Sequence, residues 1–193
     1  MNVFRYTRRH FKVRGWNDFM PRVARTKRAG LATMLCDLEL NRGVEVGVRE
    51  GLHSLLLCQR NPNIELTCID PWAPYGRWTE DKQRMFFDMA TERMAPYNAT
   101  LLRKTSMDAL ADFEDESLDF AHIDGNHEFD YAMEDIIGWS KKVRSGGVVS
   151  VHDYFHFKLN GVIYAVNAYT HCHMINPWFV TNEKLPTAFW EKP

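Results

Sequence analysis

Apolar residues along this chain follow two rhythms that take turns. From about residue 43, short unbroken apolar runs alternate with longer stretches in which apolar positions recur every three or four residues. "GVEVGV" (43–48) reads as a buried strand and "GLHSLLLCQR" (51–60) as a helix. "IELTCIDPW" (64–72) is a second strand closed by Pro71, and a helix rich in Met and Phe follows near 79–94. "ATLLRKT" (99–105) is a third strand, "SMDALADF" a short helix, and "SLDFAHID" (117–124) a fourth strand. In "HEFDYAMEDIIGWSKKV" (127–143) the residues Phe129, Ala132, Met133, Ile136, Trp139 and Val143 share one helical face. Its acids come early and Lys141 and Lys142 late, as the helix dipole favours, and Gly146–Gly147 are expected to stop it. "GGVVSVHD" (146–153) is a fifth strand and "GVIYAVNAYTHCH" (161–173) a further helix. "PWFVTNE" (177–183) and "TAFWEKP" (187–193) are two last strands with no room for a helix between them.

Strand–helix alternation of this kind means a parallel sheet covered on both faces, and the closing hairpin adds an antiparallel strand. The expected architecture is an α/β sandwich of three layers. In such open sheets, ligands bind beyond the carboxyl ends of the strands, where strand order reverses. Residues that carry chemistry should therefore stand just after strands.

"VEVGVREG" offers Glu45, Gly47 and Gly51, either a tight strand–helix turn or a place where backbone approaches a ligand. Its spacing is not the dinucleotide G-x-G-x-x-G, so a pyrophosphate cradle is a poor match. Asp70 in "CIDPW" lies 25 residues past Glu45 and could take both hydroxyls of a ribose, with Trp72 against a nucleobase. Ser106 is an N-cap, a contact to the edge of an adenine, or both. "HIDGNH" and "VHDY" bring Asp124, His127, His152 and Asp153 to neighbouring strand ends. Histidine beside carboxylate can remove a proton near neutral pH, and the same groups can hold a divalent metal.

Composition narrows the class without naming a substrate. The chain has 193 residues, 45% hydrophobic and 25% charged, with a formal net charge of −1, which suits one domain with a sizeable core. No apolar run is long enough to cross a bilayer, and the N-terminus lacks the apolar region of a secretory signal. Cys36, Cys58, Cys68 and Cys172 show no C-x-x-C pair, so a reducing cytoplasmic location is the expectation. Charge is uneven: Arg5, Arg8, Arg9, Lys12, Arg14, Arg22, Arg25, Lys27 and Arg28 face a single acid, Asp18, within residues 1–28. Phe4, Phe11, Trp16 and Phe19 are interleaved with them, so this arm either packs on an acidic body or attracts a polyanion such as nucleic acid.

The four strand-end motifs, in this order, resemble the class I S-adenosylmethionine-dependent methyltransferases from about residue 40 onward. "VEVGVREG", "IDPW", "LDFAHIDGNHEFDYAMEDI" and "GGVVSVHDY" are similar to the small-molecule branch that includes macrocin-type O-methyltransferases. The resemblance implies a Rossmann-like sandwich with a seven-stranded, mostly parallel sheet and a C-terminal antiparallel hairpin. It implies a methyltransferase domain over 41–193, preceded by a basic helical arm over 1–40. It implies S-adenosylmethionine as cofactor, with Glu45, Gly47 and Gly51 along its methionine and ribose and Asp70 on the ribose hydroxyls. Trp72 and Ser106 would lie near the adenine and Asp124 beside the methionine or the transferring methyl. His127 or His152, with Asp153, would supply the base. Relatives of this branch hold magnesium through the aspartate after the fourth strand and usually through adjacent carboxylates after the fifth. Here His152–Asp153–Tyr154 replaces that second pair, so a metal at Asp124 and Asp153 is the lesser expectation.

The activity implied is methyl transfer to a hydroxyl of a small or glycosylated metabolite, by a protein without a membrane span and with scope for self-association. A nicotinamide-dependent oxidoreductase is disfavoured by the missing glycine fingerprint and by the terminal hairpin. The rival of another class is a non-catalytic or nucleic-acid-directed protein of the same fold that works through the basic arm.

Overall fold

A computed structural model of the chain describes residues 1–13, 21–156 and 160–193. Arg14, Trp16, Asp18 and Phe19 of the basic arm lie outside the described residues. In chain order the elements are α1 (Val3–His10), β1 (Arg22–Ala24), α2 (Arg28–Asp37), β2 (Arg42–Val46), α3 (Leu52–Arg60), β3 (Glu65–Ile69), α4 (Glu80–Met94) and β4 (Ala99–Leu102). They continue as α5 (Ser106–Ala109) with a 3-10 turn at Leu110–Asp112, β5 (Leu118–Ile123), α6 (Phe129–Lys142), β6 (Val143–Val151), α7 (Val162–Cys172), β7 (Trp178–Thr181) and β8 (Ala188–Glu191).

The strands form one sheet in the order β1-β7-β8-β6-β5-β2-β3-β4. Every neighbouring pair is parallel except β6–β8 and β7–β8, so β8 alone runs against its neighbours. Among the described residues the sheet has eight strands, where seven are expected. The eighth is β1, which pairs in parallel with β7 through Arg22–Phe179, Val23–Val180 and Ala24–Thr181. It lies in the stretch expected as a helical arm. Three residues among arginines carry no readable period of two, and only the exposed edge of β7 makes them a strand.

The sheet is covered on both sides. One core joins α1–α4 to the strand face bearing Leu66, Cys68, Phe120, Val148, Phe179 and Phe189. The other joins α5–α7 to the face bearing Val44, Ala121, Ile123, Val149, Val151 and Trp190. On α6 the expected apolar stripe buries Ala132, Ile136 and Trp139, and Trp139 meets Phe113 edge-on with ring centroids 5.4 Å apart.

Gly146–Gly147 do not stop α6, which already gives way to β6 at Val143. They sit where β6 shifts register against β5, between Leu118–Val143 and Phe120–Val148. Gly146 has φ +78°, and a Cβ on Gly147 would lie 2.4 Å from Asp119 O. The two glycines shape a bulged strand.

Chain order runs outward from β2 to β4 and then restarts at β5 on the other side of β2. The reversal point therefore lies between β2 and β5, and the loops at their carboxyl ends form the expected crevice.

Candidate active site

Gly47, directly after β2, has φ +87° and donates its N–H to Ile69 O at 2.8 Å. Asp124 N, directly after β5, donates to Val46 O at 2.7 Å. A Cβ on Gly47 would stand 2.0 Å from Asp124 O, so glycine lets the two loops touch at the reversal point. Gly51, in the left-handed region at φ 78°, is the N-cap of α3 and supplies no side-chain cap. The first N–H groups of α3 thus have no capping side chain over them.

Asp70 follows β3. Its Oδ2 accepts from Val48 N at 3.0 Å and Arg49 N at 2.9 Å, and its Oδ1 accepts from Trp72 N at 2.8 Å. A carboxylate offers about four acceptor positions, so roughly one remains. Asp70 ties the loops after β2 and β3 together and keeps room for one hydroxyl, where two are expected.

Three expected cofactor contacts are turned elsewhere. Trp72 is fully buried, donates its Nε1–H to Arg49 O at 2.8 Å and meets Phe87 edge-on at 4.9 Å. It props the loop from behind and shows no open face for a nucleobase. Glu45 is buried against α3, with Oε1 3.0 Å from His53 Nδ1 and Oε2 accepting from the Ser54 hydroxyl. Ser106 is not the N-cap of α5; Thr105 is, accepting from Asp108 N. The Ser106 hydroxyl donates to Asp135 on α6 and accepts from Trp139 Nε1 at 2.8 Å. Burial pushes the Asp135 carboxyl up to about 6, with the Ser106 hydrogen bond opposing and Glu134 adding to the rise.

The expected catalytic groups do converge. His152 Nδ1 lies 3.1 Å from Asp124 Oδ1 and 3.2 Å from Asp153 Oδ1. His127 Nε2 lies 3.5 Å from Asp124 Oδ1 and 3.4 Å from Asp153 Oδ2, without a formed hydrogen bond. Burial alone would raise Asp124, but the imidazoles of His127 and His152, with further charge from His152 and His122, hold it well below the usual carboxylate range. The Asp124 carboxylate lifts His127 above its ordinary value, against burial and with help from Asp153. Asp153 is pushed up by burial, with His152 opposing and Asp124 adding to the rise. Its backbone sits at φ 58°, a left-handed turn at the end of the strand.

The two histidines differ in access. The His127 side chain is 42% exposed and the His152 side chain 5%. His127 can meet a ligand from solvent through the ring edge away from its buried Nε2, whereas His152 lies beneath. Asp124, His152 and Asp153 also present one candidate ligand atom each, all within 4.8 Å of one another.

A polar seam below this cluster escaped the strand-end search. Glu45, His122 and Ser150 are cross-strand neighbours on β2, β5 and β6, and His122 Nδ1 lies 2.9 Å from Ser150 Oγ. The His53 ring packs on His122 with centroids 4.1 Å apart. Burial, with the neighbouring His53, holds His122 well below its ordinary value and hence neutral. The signal was present in the sequence: His122 precedes Asp124 by two and Ser150 precedes His152 by two, so each pair shares a strand face.

Residues 44–154, more than half of the chain, match the sequence model of a methyltransferase-domain family. The uncharacterized protein y4gI of Sinorhizobium fredii is 30% identical over 125 residues, 60% of this chain and 13% of that protein. The chain thus spans only a small part of that relative. An O-methyltransferase from Bacillus cereus, solved in complex with SAH, superposes with a TM-score of 0.63 at 12% identity, over 86% of this chain and 80% of that one. The O-methyltransferase TomG from Streptomyces achromogenes, involved in tomaymycin synthesis and solved with SAM, gives 0.59 at 18% identity, over 86% and 80%. At these identities the likeness is one of fold.

Proposed function

Because this chain belongs to the methyltransferase-domain family, we propose that it transfers a methyl group from S-adenosylmethionine to a hydroxyl of a small or glycosylated metabolite. The observation that carries the reading is the convergence of Asp124, His127, His152 and Asp153 at the reversal point of the sheet. The O-methyltransferases that share the fold support the choice of oxygen.

The residues fit the cofactor in part. An uncapped α3 start at Gly51 and a rim carboxylate at Asp70 suit a ligand with one anionic end and a ribose. We assign Gly47, Gly51 and Asp70 to it directly, and Glu45, Trp72 and Ser106 to holding the loops around it. When bound, S-adenosylmethionine supplies a methyl already activated by its sulfonium. What is left to the protein is alignment, worth roughly 7–11 kcal/mol when complete, and removal of the hydroxyl proton. His127 takes that proton at Nδ1, the ring nitrogen away from the carboxylates; its Nε2 is buried against Asp124 and Asp153, which stabilise the imidazolium that results. His152, held by Asp124, orients that carboxylate.

The same donors fit a divalent cation that tolerates nitrogen. Asp153 Oδ1 is buried without a hydrogen-bond partner, and Asp124, His152 and Asp153 would hold the ion, which would polarise the acceptor oxygen. Magnesium prefers an all-oxygen set, whereas manganese or zinc accepts imidazole.

Residues 41–193 are read as the catalytic domain and 1–40 as a basic segment packed on it. Cytoplasmic action on a diffusible acceptor belongs to the same reading; among the described residues no helix is long and apolar enough to cross a membrane. The test is calorimetric titration with S-adenosylmethionine and S-adenosylhomocysteine. Binding in the micromolar range that Asp70→Ala weakens at least tenfold supports the reading. No binding of either compound by the unaltered chain overturns it.

A further inference from the structure

The cations of this chain fall into two populations. Residues 1–28 carry nine Lys and Arg against the single Asp18, a surplus of eight. The whole chain has 24 Lys and Arg and 25 Asp and Glu, so the remainder is in deficit by nine. Among the described residues, Arg42, Arg49, Arg84, Lys104, Lys142 and Arg144 each pair with a carboxylate, and every Lys or Arg ion pair lies beyond residue 41. Arg5, Arg8, Arg9, Lys12, Arg25 and Lys27 are exposed and have no ion-pair partner among those residues.

Packing turns these side chains outward. α1 buries Val3, Tyr6 and Thr7 against the body, with Phe11 buried just past its end. Arg5, Arg8 and Arg9 are left on the opposite face, three and four residues apart. Phe4 N–H donates to the Glu191 carboxylate at 3.2 Å, and Arg25 N–H donates to Phe11 O at 2.7 Å. These bonds lay α1 along the sheet with its last turn at the carboxyl end of β1. The guanidinium groups of Arg8 and Arg22 approach one ring, that of Phe4, to 5.6 and 5.9 Å from its centroid, so the charge runs on from α1 to β1. β1 stands three places from β6 and points the same way. At the usual strand spacing its end is about 14 Å from the end that precedes His152.

Like charges three and four apart on a helix repel, and nothing among the described residues offsets them. An external polyanion would. The chemistry of the face selects which one. A membrane takes up a helix through an apolar face, and that of α1 is already packed on the sheet. A protein partner needs an apolar centre, whereas the exposed residues of α1 are Arg5, Arg8, Arg9 and His10. A small anion would occupy one arginine, yet α1 alone spans about 12 Å. A single strand stacks its bases on open aromatic rings, but Tyr6 is buried and Phe4 is covered by arginines. The backbone of a duplex needs only spaced cations, arginine above all.

We propose that the outer face of α1 and the turn after β1 bind the phosphate backbone of a nucleic-acid duplex without reading its sequence. The surface is separate from the candidate site and does not depend on the activity proposed for it.

The experiment follows the anisotropy of labelled DNA and RNA duplexes of about 20 base pairs, titrated with the full chain between about 50 and 200 mM salt. Six phosphate contacts correspond to a loss of affinity of about 10³-fold over that range. Arg5→Gln with Arg9→Gln removes two contacts and should cut the loss to about 10²-fold. Arg5→Lys with Arg9→Lys keeps the steep dependence, because the charge is kept. Arg60→Gln with Lys141→Gln, at two exposed cations of the body without ion pairs, leaves it unchanged. Each variant is first shown to keep the unaltered melting temperature.

Duplex binding at low salt that follows this order supports the surface. No saturable binding of either duplex overturns it, and so does equal weakening by the two glutamine pairs, which would make the attraction diffuse. Tighter binding to a single strand of the same length, or to vesicles of phosphatidylserine, overturns the assignment and gives the face to that partner. Salt-sensitive self-association in sedimentation, removed by Arg5→Gln with Arg9→Gln while neither duplex binds, gives it to a second copy of the chain and equally overturns the proposal.

Discussion

His152 Nδ1 and Asp124 Oδ1 lie 3.1 Å apart across neighbouring strand ends, and the same aspartate oxygen stands 3.5 Å from His127 Nε2. One carboxylate therefore serves two imidazoles, one buried beneath it and one open to solvent. His127→Gln is expected to lower kcat by about 10²- to 10⁴-fold, the usual worth of a positioned base, with S-adenosylhomocysteine affinity within about twofold. His152→Gln should lower kcat less, because it disturbs the orientation of Asp124 only. A larger effect of His152→Gln in steady-state assays would reverse the roles assigned to the two, and equal effects would remove the distinction.

The mixed nitrogen and oxygen donors at Asp124, His152 and Asp153 carry a metal preference. After treatment with a chelator, the chain should bind manganese more tightly than magnesium in calorimetry, and Asp153→Asn should weaken manganese at least tenfold. Tighter magnesium binding, or indifference to Asp153→Asn, would remove the ion from this position.

Asp135 predicts how stability changes with pH. Its folded value of about 6 lies above the 3.8 that it regains on unfolding. Between these limits the folded chain keeps a proton that the unfolded chain releases. The contribution is therefore fully present below about 3.8, falls as pH rises, and is lost above about 6. A gap of about two pH units corresponds to roughly 3 kcal/mol. Asp135→Asn, which keeps an acceptor for Ser106, should be more stable than the unaltered chain near pH 7.5 and lose that advantage near pH 4. Urea unfolding at the two pH values checks this; parallel curves for the two proteins would contradict it.

Gly47→Ala should be among the more damaging single changes. The new Cβ would meet Asp124 O at 2.0 Å from a backbone at φ +87°, and left-handed strain alone costs about 1–2 kcal/mol. A lower melting temperature together with lost cofactor binding is expected. Gly76→Ala, at φ +53° with nothing within 4 Å, carries the strain without the clash and serves as the control. A Gly47→Ala protein no less stable than this control would show that the β2 and β5 loops can part freely.

Much of this was legible from the alternation of apolar residues, because a parallel sheet buried on both faces writes its strands as short apolar runs. β2, β3, β5 and β6 and the helices between them fall where that pattern places them, and the rule that ligands meet strand ends found Asp124, His127, His152 and Asp153. β1 was hidden because three residues acquire a partner only when β7 presents its edge. His53 joins the seam of Glu45, His122 and Ser150 from a helix, so the strand-end rule passed it over, whereas His122 and Ser150 were marked by lying two residues before Asp124 and His152. Trp72 and Ser106 stand near the expected place but face away from it, and side-chain direction after a strand depends on turn geometry that spacing does not encode. At Trp72 the backbone turns through φ 41°.

The placement of β1 and β8 bears on how this protein can be divided. β6, which carries the candidate residues His152 and Asp153 just past its end, is paired on its far side, among the described residues, only by β8, and β8 lies beyond the 44–154 segment that matches the family. Cutting the chain at those limits would strip β6 of a neighbour along Val148–Val151 and expose a bare row of peptide groups beside the candidate site. It would also remove the covering α1 and α2 from the apolar face that holds Phe120 and Val148. The segment that matches the family is therefore smaller than the sheet it belongs to, and fragments for laboratory use should retain β8 and the helices before β2.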